Sequence, residues 1–135
     1  MTRIRLAAKQ ENLLKFLDVI SIFAEQNDFS PDVVKRVRIS IEEAVVNIIN
    51  YAYPPECDGE VEICFRKEND TKLILEILDN GIPLNPLSLP QPDFTAPLSE
   101  RKVGGLGVFF IRKMAEDVRY RREGDANILT LIFSK

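Results

Sequence analysis

Two side chains in the stretch Ile41-Glu42-Glu43-Ala44-Val45-Val46-Asn47-Ile48-Ile49-Asn50 have the types and the spacing for chemistry: Glu43 and Asn47. Four positions apart on a helix, a carboxylate and a carboxamide stand one turn apart on the same face. Such a pair suits a magnesium-bound phosphate and an attacking hydroxyl, and equally suits plain exposure to water. At about 100° per residue, Val37, Ile41, Ala44, Val45, Ile48 and Ala52 gather on one side and Ser40, Glu43, Asn47 and Asn50 on the other. The first side must face a core, so the second is presented outward.

Three further stretches carry chemically useful groups. Asp79-Asn80-Gly81 follows an apolar run and puts a carboxylate where a strand stops, although Asp-Asn-Gly is also good turn chemistry. Gly104-Gly105-Leu106-Gly107 opens a helical segment, where free amide hydrogens and the helix dipole favour negative charge such as phosphate. No strand precedes it, so it is not a dinucleotide-binding fingerprint. Thr130 is the one polar residue inside an apolar strand, a place where threonine is usually a β-branched filler.

The elements that must position these groups are legible in outline. Ile4 and Leu6 alternate with Arg3 and Arg5 as a short edge strand. Leu13, Leu14, Leu17, Ile20, Ile22 and Phe23 recur at helical spacing from Glu11 to Gln26, and Asn27-Asp28 closes that helix. Ser30-Pro31-Asp32 is a helix start, with a capping hydroxyl, a proline in the first turn and an acid near the positive end of the dipole. That helix runs to Tyr53, where Pro54-Pro55 stops it. Residues 60–66 and 72–78 read as a hairpin turned by Asn69-Asp70, the second strand being the more apolar and so the more central. Residues 117–122 and 127–133 read as a second hairpin around Glu123-Gly124-Asp125. Between Gly81 and Gly104 five of the eight prolines fall in one irregular stretch, which in a compact domain marks a lid or a disordered segment.

Composition narrows the class. With 135 residues, 45% apolar and 29% charged, the chain is one ordinary globular domain with enough length for a core of its own. Absence of histidine excludes a serine-histidine triad and a histidine phospho-acceptor, leaving proton transfer to carboxylate, lysine, tyrosine or thiol. Cys57 and Cys64 match no paired zinc spacing and read as reduced thiols. A net charge of −3 with scattered basic residues argues against a nucleic-acid face. No run has the length of a membrane span, the first residues lack the apolar segment of a secretion signal, and a cytoplasmic location is expected.

The order of these features is more informative than any one of them: a helix with Glu and Asn, a strand ending in Asp-x-Gly, a long lid, a Gly-Gly-x-Gly helix start and a strand with Thr. That order resembles the GHKL ATPase superfamily. Glu43-Ala44-Val45-Val46-Asn47 with Ala52-Tyr53, Asp79-Asn80-Gly81 and Gly105-Leu106-Gly107 is similar to the anti-sigma-factor serine kinases of the RsbW and SpoIIAB type, over nearly the whole chain. The resemblance implies an α+β Bergerat fold, a two-layer sandwich with a mixed, mainly antiparallel sheet of four to five strands covered on one face by about three helices. It implies one domain over residues 1–135 with the lid at about 82–104.

It further implies ATP and Mg2+ as cofactors, with Asn47 as the magnesium ligand and Glu43 as the carboxylate that accepts the substrate serine's proton. Asp79 would read the adenine amino group with Gly81 giving the base room, Gly104, Gly105, Leu106 and Gly107 would approach the phosphates, and Thr130 would support the adenine. Asn50 is placed at the edge of the site, and the charge neutralisation that phosphoryl transfer needs makes Arg101 and Lys102 candidate lid cations. Pro83 departs from the wider superfamily, where a second glycine follows Asp-x-Gly. The implied function is a serine/threonine protein kinase that phosphorylates an anti-anti-sigma antagonist of the STAS type and sequesters a sigma factor or similar target, acting as a homodimer with no direct nucleic-acid or membrane contact. The alternative is a module that holds ATP and sequesters its partner without transferring phosphate.

Overall fold

The computed structural model describes residues 2–88 and 105–135, with the side chains of the second segment from Phe110 onward. Along the chain these form β1 (Thr2–Ala7), α1 (Leu13–Gln26), α2 (Pro31–Asn47), β2 (Glu60–Glu68), β3 (Lys72–Asp79), α3 (Gly105–Met114), β4 (Asp117–Glu123) and β5 (Ala126–Ser134). A 3-10 turn at Gln10–Asn12 leads into α1, a π-helical turn at Ile48–Ala52 follows α2, and a second 3-10 turn occupies Pro86–Ser88.

The five strands make one sheet in the order β1-β2-β3-β5-β4. Every pairing is antiparallel, so the expectation of a mixed sheet resolves to an antiparallel one. β3 is central, as its apolar composition requires, and β1 is an edge. The β2–β3 hairpin turns on Asn69 and Asp70, both with positive φ (52° and 57°), which their short polar side chains tolerate. The β4–β5 hairpin closes through Gly124, with φ of 57° and open space around its α-carbon.

Alternation along the strands divides the sheet into two faces. Val61, Ile63 and Phe65, Leu73, Leu75 and Ile77, and Leu129, Leu131 and Phe133 all point to the helix side and into one core. α2 lies between α1 and α3 and drives Val37, Ile41 and Val45 into that core, each with no exposed surface. Each such side chain contributes about 1.5–3 kcal/mol by leaving water. Ser30 caps α2, its hydroxyl accepting from the Val33 amide at 3.2 Å. The register puts Asp79 opposite Val61 on one side and Asn127 on the other, at one end of the sheet. Lys72 pairs with Ser134 at the opposite end, and the Lys135 amide donates to the Thr71 carbonyl there.

Candidate functional site

The site forms where the end of α2 meets the end of β3. After Asn47 the helix widens into the π turn, a local feature that often accompanies functional sites. Its last carbonyl, on Ala52, accepts from the Ile82 amide at 2.9 Å, fastening the chain just beyond β3 to the helix end. That contact explains Gly81: a β-carbon there would stand 2.3 Å from the Ala52 oxygen. The close approach of the two backbones alone is enough to require glycine at this position. Tyr53 completes the junction, its hydroxyl donating to the Glu60 carbonyl at 2.6 Å and accepting from the Asn80 amide at 2.8 Å.

Asp79 is buried, with 6% of its surface exposed. Its Oδ1 accepts from the Gly81 amide and from Asn127 Nδ2, both at 2.9 Å. Burial raises the Asp79 carboxyl above its ordinary value, while the hydrogen bonds from Asn127 and Gly81 and the charge of Arg122 work the other way. Asn127 is itself buried and saturated. Its second amide hydrogen goes to the Ile82 carbonyl at 2.8 Å, and its oxygen accepts from the Tyr120 hydroxyl at 2.6 Å, Arg122 at 3.1 Å and the Leu84 amide at 3.2 Å. Arg122 also donates to the Gly81 carbonyl at 2.9 Å.

One narrow concavity, about 30 Å³ in volume, connects these parts. Ala44, Asn47 and Ile48 line it from the helix, Ile77 and Asp79 from β3, and Leu84 and Pro86 from the following loop. Ile111, Tyr120, Asn127 and Leu129 close its remaining sides. Small-molecule sites are mostly apolar with a few placed polar groups, as is the lining here. Glu43, half-buried, lies one turn before Asn47 on α2, and burial with help from the charge of Glu42 pushes its carboxyl up. A carboxylate so raised is a better proton acceptor.

Several expected positions fall elsewhere. Thr130 pairs with Glu76 and Arg119 and shares the parity of Ile128 and Ile132, so it stands on the sheet face away from the helices. The β5 residue beside Asp79 is Asn127, which the sequence reading passed over. Ser40 is not part of an outward polar face: it has no exposed surface, and its hydroxyl donates to the Arg36 carbonyl. Asn50 is exposed on the π turn and does not line the concavity. Gly105, Leu106 and Gly107 form the first turn of α3, the turn whose amides lack intrahelical partners. Arg101, Lys102 and Gly104 lie outside the described residues.

The donor chemistry suits a magnesium ion held chiefly by phosphates. Magnesium keeps several waters and takes one or two protein oxygens beside those of the nucleotide. Asn47 offers one such oxygen at the wall of the concavity, and among the described residues no cluster of three or more metal-binding side chains competes for the ion.

The family model described as the histidine kinase-like ATPase domain matches residues 6–133. The chain belongs to this family. As a histidine kinase-like ATPase domain it is similar to the Listeria monocytogenes serine-protein kinase RsbW, 28% identical over 132 residues, or 94% of this chain and 83% of that protein. The RsbW of Bacillus mycoides is 26% identical over 93% of this chain and 79% of its own length. Among solved structures, the RsbU and RsbW domains of a Mycobacterium tuberculosis protein superpose on all of this ATPase domain with a TM-score of 0.65 at 11% identity. The domain spans about a third, 33%, of that chain. The histidine kinase domain of the Erythrobacter litoralis blue-light activated histidine kinase covers 90% of it with a TM-score of 0.53. These last two likenesses establish the fold. Among the described residues no helix is long and apolar enough to cross a membrane.

Proposed function

We propose that this ATPase domain is an ATP- and magnesium-dependent protein serine/threonine kinase of the anti-sigma type. In this reading it phosphorylates a STAS-type antagonist and, while the antagonist is phosphorylated, sequesters a sigma factor or equivalent target. The observation that carries the reading is the convergence of Asn47 and Asp79, from different elements, on one concavity. Similarity to serine-protein kinases along most of the chain supports it.

Each residue has a task set by its surroundings. Asp79, fixed through Oδ1, accepts a hydrogen bond from the exocyclic amino group of adenine. Asn47 holds the cation through its side-chain oxygen, and the first-turn amides of α3 approach the phosphates; for Gly104, Arg101 and Lys102 a phosphate role is proposed from the sequence alone. Bound magnesium neutralises charge on the phosphate oxygens, which together with positioning is most of what phosphoryl transfer requires. Glu43 takes the proton of the incoming serine hydroxyl as the serine oxygen bonds to the γ-phosphorus and the bond to the ADP oxygen breaks.

The purified chain, given ATP, magnesium and a STAS domain encoded in the same genome, should place phosphate on a serine or threonine. Glu43→Gln should abolish transfer, at least a hundredfold, and leave ADP affinity within about threefold. Binding of ATP with no transfer by the wild type to any cognate antagonist would favour a sequestering module without catalysis. Wild-type chain that binds no nucleotide in the presence of magnesium defeats both readings.

A further inference from the structure

We propose that Asn127 is a positioning residue that sets nucleobase selectivity by holding Asp79 as an acceptor and tying it to the loop at residues 82–84. The inference rests on the nucleotide-site reading above and deepens it.

The geometry leaves Asn127 one orientation. Its two amide hydrogens are committed to Asp79 Oδ1 and the Ile82 carbonyl, and its oxygen meets donors from Tyr120, Arg122 and Leu84. A flipped amide would set its oxygen against a carboxylate and a carbonyl and its hydrogens against three donors, so the flip is forbidden. Both hydrogen bonds that Asp79 accepts from described residues fall on Oδ1. The same amide brackets the loop, receiving from Leu84 and giving to Ile82, so the wall of the cavity at Leu84 and the carboxylate move together.

Chemically, an acceptor-only carboxylate pairs with an exocyclic amino group and is repelled by a carbonyl in the same place. An amide that keeps the carboxylate aimed and ionised therefore favours adenine over hypoxanthine. Among the described residues, the polar and titratable groups around Asp79 besides Asn127 and the Gly81 amide are Tyr120 and Arg122 from β4, Tyr53 after the π turn and Asn47 from α2.

Asn127→Asp tests this with almost no change of shape. It replaces a donor to Asp79 with a second carboxylate, and two carboxylates in one place share a proton, one of them titrating well above its usual range. The variant's affinity for ADP, measured by calorimetry and divided by that of the wild type to cancel titration of the nucleotide phosphate, should be at least tenfold lower at pH 8. It should recover at least threefold at pH 6, where the shared proton restores a donor. The preference for ADP over inosine diphosphate should fall at least fivefold at pH 8. A variant with weakened but pH-independent binding and an unchanged ADP preference overturns the proposal, because that is what a purely structural role gives. Should Asn127→Asp fail to fold, Asn127→Ser, with one short donor, must still lower the ADP preference, and an unchanged preference again overturns the idea. Wild-type protein that binds neither nucleotide removes the site reading itself, whereas wild-type binding of ADP with an unaltered variant removes only the role of Asn127.

Discussion

Gly81→Ala is the sharpest test of how β3 is joined to α2. A β-carbon at position 81 would lie 2.3 Å from the Ala52 oxygen and 2.7 Å from the Ala52 carbonyl and β carbons, where ordinary contact begins at 3.4 Å. The two backbones must therefore separate by about 1 Å, which takes the Ile82 amide, now 2.9 Å from the same oxygen, out of hydrogen-bonding range. Loss of that bond costs about 1 kcal/mol and the overpacking about 1–3 kcal/mol, for a total of about 3 kcal/mol. In a domain of this size that lowers the melting temperature by roughly 10 °C. Gly124→Ala is the control. Its neighbourhood is empty but its φ is 57°, so it should cost only about 1 kcal/mol from backbone strain. Thermal unfolding followed by circular dichroism reads both, and calorimetry with ADP should show at least a tenfold loss of affinity for Gly81→Ala alone, since the Gly81 amide steadies Asp79. A melting point within 2 °C of wild type for Gly81→Ala, at roughly unchanged affinity, would refute the close approach.

Two other substitutions probe the same junction. Asp79→Asn keeps the hydrogen-bond acceptor for Gly81 and Asn127 but removes a buried charge. Because the folded carboxyl is raised, its stabilising contribution is present at low pH and lost as pH rises through the folded value, so the ionised group is a burden near neutrality. The variant should thus melt higher than wild type at pH 7.5, with the gap closing toward pH 4, and should bind ADP at least tenfold more weakly; a gap that widens on acidification contradicts the assignment. Tyr53→Phe deletes the hydroxyl that links Glu60 to Asn80 and should cost about 1–1.5 kcal/mol in urea unfolding, with no change indicating that water replaces the bridge.

Local signals in the sequence translated well into structure. The Ser30-Pro31 start, the Asn69-Asp70 and Gly124 turns, and the carboxylate at the end of the central strand all rest on short-range chemistry, and each stands where expected. β5 did not yield in the same way. Ile128 and Leu129 are both apolar, so alternation could not say which parity faced the helices, and a slip of one residue exchanges every side chain between faces. Thr130 was placed at the adenine site by family resemblance, which the ambiguous alternation could not check, and Asn127 was overlooked; an Asn opposite an Asp across paired strands was the available clue. Ser40 misled because a helical serine satisfies itself on the preceding turn and enters a core without a partner from elsewhere. The π turn was invisible because Ile48-Ile49-Asn50-Tyr51-Ala52 has ordinary helical composition, and the Ile82 amide that engages its last carbonyl comes from a distant part of the chain.

The length of the β3–β5 pairing has a practical consequence. β5 begins beside Asp79 and ends beside Lys72, seven residues along β3, a separation of roughly 23 Å at the usual rise of a strand. A fluorophore, affinity handle or surface tether attached at Lys72 or Ser134 would therefore project from the rim remote from the concavity. Measurements made on immobilised protein would report entry of a small molecule without obstruction from the attachment.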